Sequence, residues 1–427
     1  MNMIIRQARL LDPKQQLDQI NDVYIADGRI QAIGENLSAS SAQDAQEIVG
    51  KGQLLCPSFT DLLTYLRQPG NSQKGTIASE TKAAASAGFG TLLPSPNTLP
   101  CTDSTAVLEL VQDRAAQAGY CQLAPVAALT QGLNSSHLSN MQGLSKAGAV
   151  AFSNAGNDFN DNTVLLRCYE YAATYGLRIF IQAQDQALGN GHMHDGALAT
   201  RMGLNGIPVI AETLAIARHL QIIQHTGVSA HFQQLSSAAA VDMIRQAKNQ
   251  GLPVTADVDL AHLCYTEQQV QGYASQYYVQ PPLRTAADRQ ALLTGVADGT
   301  INAIVSAHQP HEAAAKQAPF ADTATGMAMY DGFMPMLLSL EGQADLSLAQ
   351  LISALSDQPA NIAQVSSNSL TVGADANLCL IDPSQQWQLT PSNQQSHGAN
   401  QCLQGQTLTG RVQLTLRNGQ PTWQAYS

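Results

Sequence analysis

Between Phe59 and about Asp357 one pattern repeats: a short apolar run, a polar loop, an Ala- and Leu-rich helical stretch, then a glycine. The glycines are Gly88, Gly119, Gly148, Gly176, Gly227, Gly251 and Gly299, each where a left-handed residue ends a helix before the next strand. Seven such junctions join eight strands. They are expected at Thr60–Thr64, Gly90–Pro94, Gln122–Thr130, Ala149–Ser153, Arg178–Ala183, Ser229–Leu235, Pro253–Val258 and Ala303–Ala307. Parallel strands alternating with helices close on themselves, which predicts an α/β fold, a (β/α)8 TIM barrel, with any ligand site at the carboxyl ends of the strands.

The two flanks read differently. Short alternating segments, Ile4–Leu11, Val23–Ile25 and Arg29–Ile33, surround a hairpin turn at Asp27-Gly28. After Leu370 the β pattern returns at Ala376–Ile381 and Leu408–Arg417, with Asn418-Gly419 as a second hairpin turn. The simplest assembly makes one small β-sandwich from residues 1–55 and 371–427, with the barrel over residues 56–370.

Charged residues make up only 12% of the 427, about half the usual share. The net charge of -11 and the absence of a Lys/Arg-rich block argue against nucleic acid or an anionic membrane as partner. No apolar run approaches the roughly 20 residues that span a bilayer. The opening Met1-Asn2-Met3-Ile4-Ile5-Arg6 lacks an export leader, and the seven cysteines are scattered without a C-x-x-C pair. A cytoplasmic protein with reduced thiols is expected.

Candidate chemistry begins at Cys56–Gly70, an apolar run that closes on Arg67 and a Pro-Gly turn. Pro57, Phe59, Asp61, Arg67, Pro69 and Gly70 sit as in the first barrel strand of cyclic amidohydrolases, and within them the stretch resembles the dihydroorotases. Pro96-Asn97-Thr98, Pro281-Pro282-Leu283-Arg284 and the His308-Gln309-Pro310-His311 segment, with Lys316 and Phe320 beyond, extend the resemblance over nearly the whole chain. Gly373-Ala374-Asp375-Ala376-Asn377-Leu378 is similar to that family's approach to its β-sandwich.

The resemblance implies a metal-bound hydroxide attacking a cyclic amide, with an Asp at the end of strand eight moving the proton. Here Leu63 and Tyr65 replace the family's histidine pair. Asn154 and Ala155 replace two carboxylates, Gln182 and Gln234 replace ligand histidines, and Ala307 replaces the proton-moving Asp. Losing acids and histidines together avoids stranding buried carboxylates without a cation, which costs ~several kcal/mol each. The seven positions are expected to plug the barrel mouth, with the Tyr65 hydroxyl bonded to Gln182 or Gln234. No catalytic residue, metal or other cofactor is expected.

Arg67 and Asn97 match residues that hold the substrate carboxylate in dihydroorotases, so they are the candidate residual ligand site. The structural alternative pairs Arg67 with a loop carboxylate and has Asn97 tie down a turn. By resemblance the chain is similar to the inactive dihydroorotase-like subunit of some bacterial aspartate carbamoyltransferases. The expected partner is then the catalytic aspartate carbamoyltransferase chain, in a hetero-oligomer serving pyrimidine biosynthesis. Two alternatives stay open. One is a cyclic amidohydrolase with a relocated metal held by His192, His194, His308 or His311; the other is a non-catalytic module binding a pyrimidine intermediate.

Overall fold

A computed structural model describes residues 2–37 and 45–425. The eight barrel strands are Phe59–Thr64, Phe89–Pro94, a third formed by Gln122–Leu123 and Val126–Ala128, then Ala151–Ser153, Ile179–Gln182, Ala230–Gln233, Val254–Asp259 and Ala303–Val305. Neighbours pair in parallel. Pro125 divides the third strand because it has no N–H to give the ladder. The barrel closes where Thr64 pairs with His308 and the Tyr65 N–H donates to the His308 carbonyl at 2.9 Å.

Each of the seven glycines is left-handed, with φ between 63° and 110°. At Gly119 and Gly227 the glycine N–H caps the preceding helix by donating to Ala115 and Ile223. Apolar side chains of strands one to five and eight, among them Leu62, Leu93, Val126, Phe180 and Val305, form a buried cluster of their own. The larger cluster packs the surrounding helices against the strands.

The flanking segments form one hydrogen-bonded path of strands, Gln420–Gln424, Thr407–Arg417, Leu378–Gln388, Leu54–Pro57, Met3–Asp12, Leu17–Ala26 and Arg29–Gly34, with Gln46–Val49 branching from Met3–Asp12. This is the small β-sandwich, and both ends of the chain contribute to its core of Met3, Ile5, Leu10, Leu378, Leu414 and their neighbours. Both expected hairpin turns are present with positive φ at each central residue, 53° and 78° at Asp27-Gly28 and 49° and 69° at Asn418-Gly419. The two tips meet: a Cβ on Gly28 would stand 2.9 Å from the Asn418 carbonyl oxygen. Cys56 and Pro57 pair with Cys379 and Leu378, so the sheet continues two residues beyond the boundary drawn from the sequence and the barrel starts at Phe59.

One segment has no counterpart in the sequence reading. Residues 389–406, between two sandwich strands, cross to the barrel. There Ser396 Oγ and the His397 N–H donate to Glu80 at 2.7 and 3.1 Å, and the N–H groups of Gln395 and Ser396 donate to Asp331 at 2.5 and 3.1 Å.

Candidate functional site

The carboxyl ends of the strands carry a layer of amides. Gln182, the last residue of strand five, uses both hydrogens of its Nε2: one goes to the Tyr65 hydroxyl at 3.2 Å, the other to Gln234 Oε1 at 2.7 Å. Gln234 Nε2 donates in turn to Asp259 Oδ2 at 3.1 Å. Asp259 caps the short helix Leu260–Cys264 and holds the His262 ring at 2.5 Å. Burial alone would raise the Asp259 pKa, yet His262 and the Gln234 amide hold it below the ordinary carboxylate value. Burial opposes protonation of His262, but Asp259 raises its pKa. Of the two partners expected for Tyr65, Gln182 bonds it and Gln234 bonds Gln182 instead, while Asp259, at the base of the chain, carries no sequence signal beyond its position at a strand end.

The other vacated positions are equally settled. Asn154 accepts from Thr130 Oγ1 at 2.7 Å and donates to Ser135 Oγ and the Asn157 carbonyl at 2.7 and 3.2 Å. Leu63 is buried in the cluster of strand residues, and Ala307 packs on that cluster. The backbone at Ala155, Gln234 and Ala307 is left-handed, with φ of 49°, 56° and 45°, as it is at Arg67 with 65°. Non-glycine residues seldom take that conformation, and it concentrates at functional strand ends.

A zinc ion needs imidazole, carboxylate or thiolate donors converging at about 2 Å. Leucine, alanine and hydrogen-bonded amides do not supply them, so the residues present do not fit the metal that the fold family implies. Among the described residues no group of three or more His, Cys, Asp or Glu side chains converges to hold an ion. The four histidines considered for a relocated metal are engaged separately. His308 donates from Nε2 to Glu80 at 2.7 Å and accepts the Met329 N–H on Nδ1 at 2.9 Å, so both nitrogens are used. His311 meets Arg67, His192 meets the Tyr278 hydroxyl at 3.0 Å, and His194 accepts from Arg284 at 3.2 Å. Burial, Arg67, Lys74 and Lys316 push the His311 pKa down to about 3.

Arg67 and Asn97 are not brought together. The Arg67 guanidinium donates to the Pro310 carbonyl at 2.9 Å and to His311 Nε2 at 2.8 Å, with no loop carboxylate among the described residues as partner. Burial pushes its pKa down to about 10. It lies 5.7 Å from the centroid of the Tyr65 ring. Asn97 is exposed, and its side chain makes no hydrogen bond to another described residue, so it does not tie down the turn.

The vacated positions do not fill the mouth as a plug. Tyr65, Ala155, Gln182 and Gln234 floor an open cleft of about 680 Å³, lined from seven of the eight strand ends and by Asn97, Tyr278 and Gln309 among others, while Leu63, Asn154 and Ala307 do not reach it. Tyr65 lines it and Arg67 does not. Among the described residues no Asp, Glu, Lys or Arg lines it, whereas glutamines and asparagines do so repeatedly. Gln186 and Gln280 were not singled out in the sequence, since amides in loops carry no motif, and Gln309 was noted only as part of the His308–His311 segment.

A barrel of this topology, bearing a sandwich made from both chain ends and a cleft at the carboxyl ends of its strands, defines the amidohydrolase class of fold. Residues 52–239 match the family model described as Dihydro-orotase-like. The chain is 43% identical to a dihydroorotase-like protein of Pseudomonas aeruginosa over 99% of each chain, and 42% identical to one of Pseudomonas putida over 98% of each. It is 36% identical to a dihydroorotase of Anaeromyxobacter dehalogenans, covering 98% of this chain and 96% of that one. The chain belongs to the dihydroorotase-like family of the amidohydrolase superfamily. In fold it is similar to the L-hydantoinase of Arthrobacter aurescens, with a TM-score of 0.86 at 22% identity over 99% of this chain and 96% of that one.

Proposed function

We propose that this chain is a catalytically inactive dihydroorotase homologue that assembles with the catalytic chain of an aspartate carbamoyltransferase, as a structural subunit of a pyrimidine-biosynthetic complex. The observation that carries the reading is the hydrogen-bonded amide floor: Tyr65, Gln182 and Gln234 satisfy one another where metal ligands are needed. Ala307, a methyl group, stands where a proton must be moved. A scaffold kept with its strand-end loops and without its reactive groups is kept for what it binds. The loops at the barrel mouth, freed from admitting substrate, are the surface assigned to the partner. We place the protein in the cytoplasm, a compartment that suits its seven free cysteines. No helix of the described residues is long and apolar enough to cross a membrane.

Co-expression with an aspartate carbamoyltransferase chain from the same source tests this. A stable hetero-oligomer is expected, with carbamoyltransferase activity and with no dihydroorotase turnover in either direction after zinc is supplied. Stoichiometric zinc together with ring opening of dihydroorotate at a useful rate refutes it.

The open cleft favours a second reading, a module that binds a pyrimidine intermediate. Its lining among the described residues offers no Lys or Arg to the carboxylates of dihydroorotate or carbamoyl aspartate, so the scaffold reading stands ahead of it. Calorimetry showing no heat with either compound at millimolar concentration ends the second reading.

A further inference from the structure

Resting on the scaffold reading above, we infer that the barrel-mouth cleft is a socket for an uncharged polypeptide loop of the partner chain. The lining is the first ground. Five carboxamides, those of Asn97, Gln186, Asn190, Gln280 and Gln309, line the cleft, and their side chains make no hydrogen bond to other described residues. A carboxamide presents one acceptor and two donors, the same groups as a peptide unit, and polar groups that become buried need such partners.

Charge is the second ground. Among the described residues no Asp, Glu, Lys or Arg lines the walls, and His192, the one imidazole among them there, is held by the Tyr278 hydroxyl. An inserted charge would lose its hydration and find no counter-ion. The occupant is therefore neutral.

The rim separates a loop from a small neutral molecule. Leu99, two residues beyond Asn97, is 69% exposed, and Leu188, between the lining residues Ala187 and Gly189, is 39% exposed. A small ligand in the cleft would leave both leucines in water. A polypeptide whose polar turn enters the cleft and whose apolar flanks lie on the rim covers both. The cleft's volume of about 680 Å³ lies within the range of sites that enclose a drug-sized ligand, enough for a short turn.

The experiment compares the intact chain with N97R/Q280R and with L99R/L188R, each co-expressed with the carbamoyltransferase chain. All four positions are exposed and none belongs to the amide floor, so the variants keep the fold, which circular dichroism verifies. Assembly at least tenfold weaker in each variant is expected, together with hydrogen-exchange protection of the loops around Asn97 and Gln280 in the intact complex. If the complex forms and both variants assemble like the parent with those loops unprotected, the socket is wrong while the scaffold reading survives. If the parent forms no complex, both fall. A small neutral molecule that native mass spectrometry finds on the isolated chain and that N97R/Q280R releases also overturns the socket.

Discussion

Gln182 Nε2 donates a 2.7 Å hydrogen bond to Gln234 Oε1, linking the ends of two adjacent strands across the floor of the barrel mouth. Two imidazoles at these positions would turn toward an ion. Two amides turn toward each other, and the second proton of Gln182 reaches Tyr65. The floor is closed by complementary neutral groups, and it leaves an open space above rather than a filled one.

That relationship sets the outcome of returning metal ligands. The combined variant Leu63→His, Tyr65→His, Gln182→His and Gln234→His supplies imidazoles at four strand-end positions. It is expected to retain zinc near one ion per chain after dialysis, measured by elemental analysis, with the parent retaining far less. Dihydroorotase turnover should still be absent until Ala307→Asp provides a proton acceptor. Equal zinc in parent and variant contradicts the account of the floor.

The left-handed strand ends predict a gain in stability. A left-handed non-glycine residue costs roughly 1–2 kcal/mol, and glycine returns part of that gain through its freer unfolded chain. Ala307→Gly and Ala155→Gly, with φ of 45° and 49° in the parent, should each stabilise the protein by about 0.5–1 kcal/mol in urea unfolding. Alanine at a position with ordinary helical backbone, such as Ala84, should lose stability on the same change.

Asp61 predicts a pH dependence of unusual sign. It is fully buried beneath the donors Ser306 N–H, Ser306 Oγ, Tyr330 hydroxyl and Leu63 N–H. Burial outweighs these bonds and raises its pKa from 3.8 to about 6. A raised folded pKa means that the native state keeps the proton longer than the unfolded chain. The contribution is complete below the unfolded value and is lost as pH rises through about 6. Relative to Asp61→Asn, the parent should lose on the order of 2–3 kcal/mol between about pH 4 and about pH 7 in denaturant melts. A flat difference over that range would count against it.

Glu80 fastens residues 389–406 to the barrel. Burial alone would raise its pKa, but His308 and the hydroxyls of Ser396 and Ser79 hold it below the ordinary carboxylate value. Its stabilising effect is therefore present above the unfolded carboxylate pKa and is lost as pH falls through the lower folded value. Glu80→Ala leaves His308 Nε2–H, Ser396 O–H and His397 N–H without their acceptor and should cost about 3 kcal/mol or more. Limited proteolysis should then cut first within 389–406. Cleavage unchanged from the parent would show that the segment is held by other contacts.

The sequence by itself determined the barrel, because the seven left-handed glycines and the alternation of apolar strands with helices are local signals set by backbone sterics and side-chain period. That Leu63, Gln182 and Ala307 stand where the dihydroorotases carry histidines and an Asp is what the resemblance implies, since its strand-end motifs number the residues around them. Tertiary structure decided where each polar side chain spends its hydrogen bonds. Arg67 turns to Pro310 and His311 rather than toward a ligand, Glu80 is tied to a segment more than 300 residues away, and unpartnered amides from separate loops converge on one cleft. Such pairings depend on distances between groups far apart in the chain, and burial makes them obligatory only after folding has removed the water that could have served instead.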